Sequence, residues 1–171
     1  MYKTWTCLAV SGLVACAAPT PGPVAVARLM PTLGNTTTGE VRFTTLGAKV
    51  LVEARVSGLK PGAEHGFHVH EKGDCSSGDG MSTGGHFNPL GHAHGAHGHG
   101  VHHAGDLPSL VADAQGHASL RFESATISVG TGATDVVGRG LIVHRDPDDF
   151  KTQPTGNAGP RWACAVIQRS P

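Results

Sequence analysis

Charge is scarce in this sequence, and what there is cancels: 13 basic and 13 acidic side chains in 171 residues, 15% of the total against a usual ~25%. With zero formal net charge and a pI near 7.2, the chain has no global field for gripping a polyphosphate, which argues against any nucleic-acid partner. Long apolar runs are missing too. The N-terminal one, Cys7 to Ala15, is interrupted by Ser11 and Gly12 and falls far short of the ~20 residues that cross a bilayer. No window carries the periodicity of a long amphipathic helix, which argues against a helical bundle. Cysteine is limited to four positions: Cys7, Cys16, Cys75 and Cys164.

Glycine and histidine are what the chain has in excess. Its 25 glycines are about twice the usual ~7% and favour short strands joined by many turns. Seven of the 12 histidines (His86, His92, His94, His97, His99, His102 and His103) fall within 18 residues. Neutral imidazole is the commonest protein ligand for zinc and copper. The length suits one domain with a real core.

The N-terminus reads as an address. Residues 1–15, with Lys3 as their one base and a short apolar run, fit an export signal peptide. Leu13-Val14-Ala15-Cys16 resembles a bacterial lipobox, in which Cys16 is lipidated and becomes the mature N-terminus; ordinary cleavage after Ala17 is the rival. Residues 16–23 then form a Pro-rich tether, and 24–171 the folded domain. Both cleavage readings place the protein outside the cytosol, in a periplasm or cell envelope, with a lipid anchor in the first. An oxidising compartment makes Cys75 and Cys164 a candidate disulfide; two unrelated buried thiols are the alternative.

Period-two alternation dominates the rest. Lys49 to Ser57 sets Val50, Val52, Ala54 and Val56 on one face and charged groups on the other, the pattern of a half-buried antiparallel strand. Val24 to Leu29, Glu40 to Thr45, Gly66 to His70, Ala118 to Glu123, Gly138 to His144 and Trp162 to Gln168 are further strand candidates. The fold class is therefore all-β, a sandwich or barrel. Glu71 to Pro108 and Arg145 to Pro160 are too long and polar for hairpin turns, and long loops on a β scaffold tend to be functional.

In Phe67-His68-Val69-His70 the alternation puts two imidazoles side by side on one face, spaced to share an ion. His144 ends the apolar run Leu141-Ile142-Val143, where a polar residue is unexpected. Between them lie Gly85-His86-Phe87-Asn88-Pro89, His94, His103 and Asp106.

These segments, with Gly105-Asp106-Leu107 and Gly156-Asn157-Ala158-Gly159-Pro160-Arg161-Trp162-Ala163-Cys164, resemble the copper/zinc superoxide dismutase family in order and spacing, over essentially Val24 to Ile167. The resemblance implies an eight-stranded Greek-key barrel with a metal-binding loop and an electrostatic loop. It implies one copper on His68, His70, His86 and His144, and one zinc on His86, His94, His103 and Asp106, so that His86 bridges the two. Four nitrogens suit Cu(II), and three nitrogens with a carboxylate suit a structural zinc. The implied reaction converts two superoxide anions to O2 and H2O2 by Cu(II)/Cu(I) cycling, with His86 handling a proton and Arg161 attracting the anion. Asp148 matches the carboxylate that bonds His68 and His94 behind the metals, and a Cys75–Cys164 disulfide would pin the metal loop to the strand bearing Arg161. Some family members form homodimers and others are monomers, so a homodimer is a further candidate partner arrangement.

A non-enzymatic, exported copper- or zinc-buffering protein on the same scaffold is the alternative; it predicts a missing copper ligand or arginine, and none is missing. His92, His97, His99 and His102 read as solvated filler or a low-affinity metal-collecting arm, and His65 and His117 have no assigned role. The stretch Asp146 to Gly159 is a trimmed electrostatic loop with Lys151 as its only base.

Overall fold

Alternation at period two becomes antiparallel pairing in the computed structural model, which describes residues 21–171. Strands β1 (Pro21–Pro31), β2 (Thr38–Leu46) and β3 (Lys49–Ser57) form a meander. After them come β4 (Glu64–His65), β5 (Phe67–His70), β6 (Leu110–Val111), β7 (Ala118–Ser124), β8 (Gly140–His144), β9 (Arg161–Val166) and β10 (Gln168–Arg169). One curled eight-stranded sheet has the order β5-β8-β9-β1-β2-β3-β7, with β10 also on β1; β4 and β6 pair separately.

Within the order of the main sheet, three neighbour relations join strands far apart in sequence: β3 with β7, β5 with β8 and β1 with β9. The chain leaves β3 for the far edge at β5, returns to lay β7 beside β3, and crosses again to put β8 beside β5. Such crossovers are of the Greek-key kind. Inside the curl, Phe43, Val52 and Val56 from the meander meet Phe67, Val69, Leu141, Val143 and Ala163 from the other half.

One expectation on the domain's edge changes. Strand β1 begins at Pro21, which pairs with Leu46 of β2, so residues 21–23 belong to a strand and not to the tether. Proline lacks the N–H of a ladder and is tolerated at a strand's first residue or at a bulge, and the register shifts between Pro21 and Val24. The signal peptide, the lipobox and Cys16 lie outside the described residues.

Residues 71–109 and 145–160 form no named strand, apart from a 3-10 turn at Met81–Thr83 in the first. Both fold over the outer face of β5 and β8. All four residues of β5 and all five of β8 are consequently buried, although alternate side chains point away from the core. A disulfide joins Cys75 in the first loop to Cys164 on β9, across 89 residues of sequence.

Candidate metal centre

The outward side chains of β5 are His68 and His70, because Phe67 and Val69 take the core. On β8, Val143 is in the core and His144 follows it to the outer face, where the strand ends in a bulge against β9. His86 arrives from the metal loop through a bridge to His70, while its neighbour Phe87 inserts into the core and its N–H donates to the Val69 carbonyl at 2.8 Å.

Each of these four rings has one nitrogen committed outward. His68 Nε2 lies 2.7 Å from Asp148 Oδ2, His70 Nδ1 donates to the Gly84 carbonyl at 2.9 Å, His144 Nδ1 donates to the Gly159 carbonyl at 3.0 Å, and His86 Nδ1 lies 2.9 Å from Asp106 Oδ1. The other nitrogens, His68 Nδ1 and the Nε2 atoms of His70, His86 and His144, are buried without a partner. An unpaired buried polar atom costs ~1–3 kcal/mol, and four converging ones mark a place for a ligand. The donor atoms of this group lie within 4.8 Å of one another. Four neutral imidazole nitrogens fit copper.

Beside it lies a second group. The Nδ1 atoms of His86, His94 and His103 converge on a single oxygen, Asp106 Oδ1, at 2.9, 3.0 and 3.3 Å. Three imidazoles crowding one carboxylate oxygen fit a tetrahedral N3O cation site, the donor set of zinc. His86 belongs to both groups, Nδ1 in one and Nε2 in the other.

Asp148 connects them from behind, with Oδ1 2.9 Å from His94 Nε2 and Oδ2 on His68. The loop reaches this carboxylate through Gly156, which has φ +64; a Cβ there would collide with Asp148 Oδ1 and sit against His94 Nε2. Only glycine fits.

Burial is the main influence on the protons. It holds His70 and His144 well below the ordinary histidine value, aided by neighbouring rings and Arg161. His68 is lowered by the same desolvation, and His86 is brought down to about 4. For His94, burial is outweighed by its bonds to Asp106 and Asp148, which raise it to about 9. Asp106 and Asp148 are pulled well below the usual carboxylate range by their histidine bonds, against the opposing effect of burial. The first group therefore presents neutral lone pairs and the second a charged carboxylate.

Residues 37–167 match the family described as copper/zinc superoxide dismutase (SODC). The chain belongs to this family. It is similar to superoxide dismutase [Cu-Zn] of Paramecium bursaria Chlorella virus 1, with 43% identity over 135 residues, 75% of this chain and 71% of the relative.

On this dismutase scaffold Arg161 starts β9 opposite His144 and is half-buried. Its guanidinium donates to the Gly80 carbonyl, to Thr83 Oγ1 at 2.8 Å and to the Gly84 carbonyl at 2.7 Å. Thr83 is fully buried and its hydroxyl also lies 3.3 Å from His70 Nδ1, so one side chain touches both the arginine and a member of the first group. Nothing in the sequence marks Thr83.

The surplus histidines of this family member are not all filler. His102 is buried and donates from Nδ1 to the His103 carbonyl at 2.7 Å, while its Nε2 accepts from Gly98 N–H at 3.3 Å. His97 is half-buried and donates to the Asp106 carbonyl at 3.0 Å. His92 is exposed, with Nδ1 3.2 Å from the His102 carbonyl, and His99 is exposed. Both nitrogens of His102 are engaged within the loop, and His103 rather than His102 belongs to the second group. His65 is fully buried and donates to the His144 carbonyl at 2.9 Å; His117 is exposed near Asp113.

Proposed function

We propose that this protein is a superoxide dismutase whose active site uses His68, His70, His86 and His144 for copper and His86, His94, His103 and Asp106 for zinc. The observation that carries this reading is the pair of adjoining donor groups sharing His86, one of four orphaned nitrogens and one of three nitrogens with a carboxylate. Copper supplies one-electron exchange between Cu(II) and Cu(I), and zinc holds charge beside it.

In the overall reaction one superoxide gives up an electron and leaves as O2. The other gains that electron and two protons and leaves as H2O2. Arg161, always cationic, attracts the anion to the mouth of the copper group and orients it. Its carbonyl and hydroxyl partners fix the guanidinium in advance, so little ordering is required when the anion arrives. His86 has its Nδ1 on the side of Asp106 and its Nε2 unpartnered among the copper-group nitrogens, so with zinc held by His86, His94, His103 and Asp106, Nε2 would be the atom that takes up and returns a proton.

To test this, the purified protein is loaded with copper and zinc, metals are counted per chain, and superoxide removal is assayed. One of each metal and rapid turnover are expected. His144→Ala should abolish turnover, and Arg161→Ala should weaken it with both metals still bound. Full activity without His144 would overturn the copper assignment.

Export to a periplasm or cell envelope and lipidation at Cys16 rest on the residues of the N-terminus; the mass of the mature N-terminal peptide tests both. A homodimer rests on the family resemblance and is tested by the mass of the protein in solution.

A further inference from the structure

Three zinc-group ligands, His94, His103 and Asp106, sit on a loop without strand or helix. No strand pairing fixes the main chain of His94 or His103, and Asp106 has a single isolated bridge to His68 of β5. Yet each has its backbone carbonyl bonded by a side chain from outside the ligand set. Gln153 pairs with His94 as one strand pairs with another: its Oε1 accepts from His94 N–H at 2.8 Å and its Nε2 donates to His94 C=O at 2.9 Å. His102 donates to the His103 carbonyl at 2.7 Å, and His97 to the Asp106 carbonyl at 3.0 Å. The His97 ring also packs edge-on against Phe122 of β7, with centroids 4.9 Å apart, which ties the loop to the sheet.

We infer that Gln153, His102 and His97 are positioning residues for zinc, clamping the backbone of its three loop ligands so that the site is preformed and slow to release the ion. This rests on the zinc assignment proposed above. It gives two of the surplus histidines a mechanical role: each ring donates Nδ1–H to a ligand's backbone carbonyl, and the ligating side-chain atoms take no part in the bond. Outer partners of metal ligands typically alter affinity by ~10–100-fold when removed. The two sides of the clamp come from different loops, since Gln153 lies 59 residues from His94. Zinc retention then depends on the electrostatic loop staying docked.

The decisive measurement is zinc release from the copper- and zinc-loaded protein into an excess of a chromophoric chelator. Gln153→Met keeps the side chain's length and removes both amide bonds; being exposed, it leaves the core intact. It should speed release by ~10–100-fold, as should the double variant His97→Ala/His102→Ala. Asparagine places an N–H donor near the position of Nδ1, so His97→Asn/His102→Asn should restore slow release to within a few-fold. His99→Ala, which removes an exposed ring with no such bond, should change nothing. Cobalt(II) placed in the zinc site should show altered visible bands in the Met and Ala variants and near-original bands in the Asn variant.

Unchanged release in Gln153→Met and in the double Ala variant would overturn the clamp. Equal loss in the Ala and Asn variants would overturn the role of the two histidine bonds. If the unsubstituted protein took up no zinc, the zinc assignment itself would fail, an outcome distinct from either.

Discussion

Asp148 divides its carboxylate between two rings, Oδ2 at 2.7 Å from His68 Nε2 and Oδ1 at 2.9 Å from His94 Nε2, so one buried group orients a ligand in each metal group. An amide cannot accept at both ends. Asp148→Asn should therefore lose one of the two bonds and lower zinc affinity by ~10–100-fold, with a parallel fall in turnover. Competition with a chelator and an assay of superoxide removal measure the two effects. Metal affinity within a factor of two of the original would sink the idea.

The Cys75–Cys164 bridge closes 89 residues and holds the loop whose Gly80, Thr83 and Gly84 fix Arg161. Chain entropy assigns a loop of this size ~4–5 kcal/mol. Cys164→Ser should lower stability by an amount of that order and reduce turnover per bound copper, since the guanidinium loses its frame. Denaturant midpoints and activity normalised to copper content check this; a variant equally active per copper would show that Arg161 needs no such support.

Steering by the surface should be weak. The trimmed loop from Asp146 to Gly159 has Lys151 as its only base against Asp146, Asp148 and Asp149, and the net charge is zero. Salt screens long-range fields but hardly affects a guanidinium beside the reacting centre. Between ~0.01 and ~0.15 M ionic strength, kcat/KM should fall by less than about threefold, whereas strongly steered enzymes lose far more. A steep decline would place the attracting charge elsewhere on the surface.

Metal-free protein should be acid-sensitive. His68, His70, His86 and His144 are all held below 6.5 in the folded state, His86 at about 4. Below about pH 6.5 the unfolded chain binds protons that the folded one refuses, so stability present above that pH is lost as pH falls toward 4. His94, raised to about 9, acts in the opposite sense: its contribution is full below pH 6.5 and is lost as pH rises through 9. Four groups against one make the acid side dominate. Urea midpoints of the metal-free protein should be clearly lower at pH 5 than at pH 7, and a higher midpoint at pH 5 would contradict the burial argument.

Alternation made the strands readable one by one. Lys49 to Ser57 is strand β3 as read, and the period of two in Phe67 to His70 sorted core from outer face correctly. The short strands β4 and β6, only two residues each, carry no periodic signal and were not legible. Proline at 21 and 23 suggested a tether where the structure has a strand, because local composition does not reveal the partner, β2, that the segment finds. For the site, the histidine pair on β5, the offsets from His86 and the family resemblance named the residues that the structure brings together. Gln153 and Thr83 carry no sign in the sequence, and His97 and His102, which it offers as solvated filler or a metal-collecting arm, find their carbonyl partners only in the fold.

By itself, then, the sequence determined which side chains were available and which face of each strand they share, since those follow from neighbours one or two residues apart. Only the tertiary structure decided which nitrogen of each ring points inward and which is tied down. Those choices depend on carbonyls and carboxylates as much as 80 residues away, brought within 3 Å by the two loops folding over β5 and β8. A hydrogen bond has a direction and a distance that no spacing along the chain encodes.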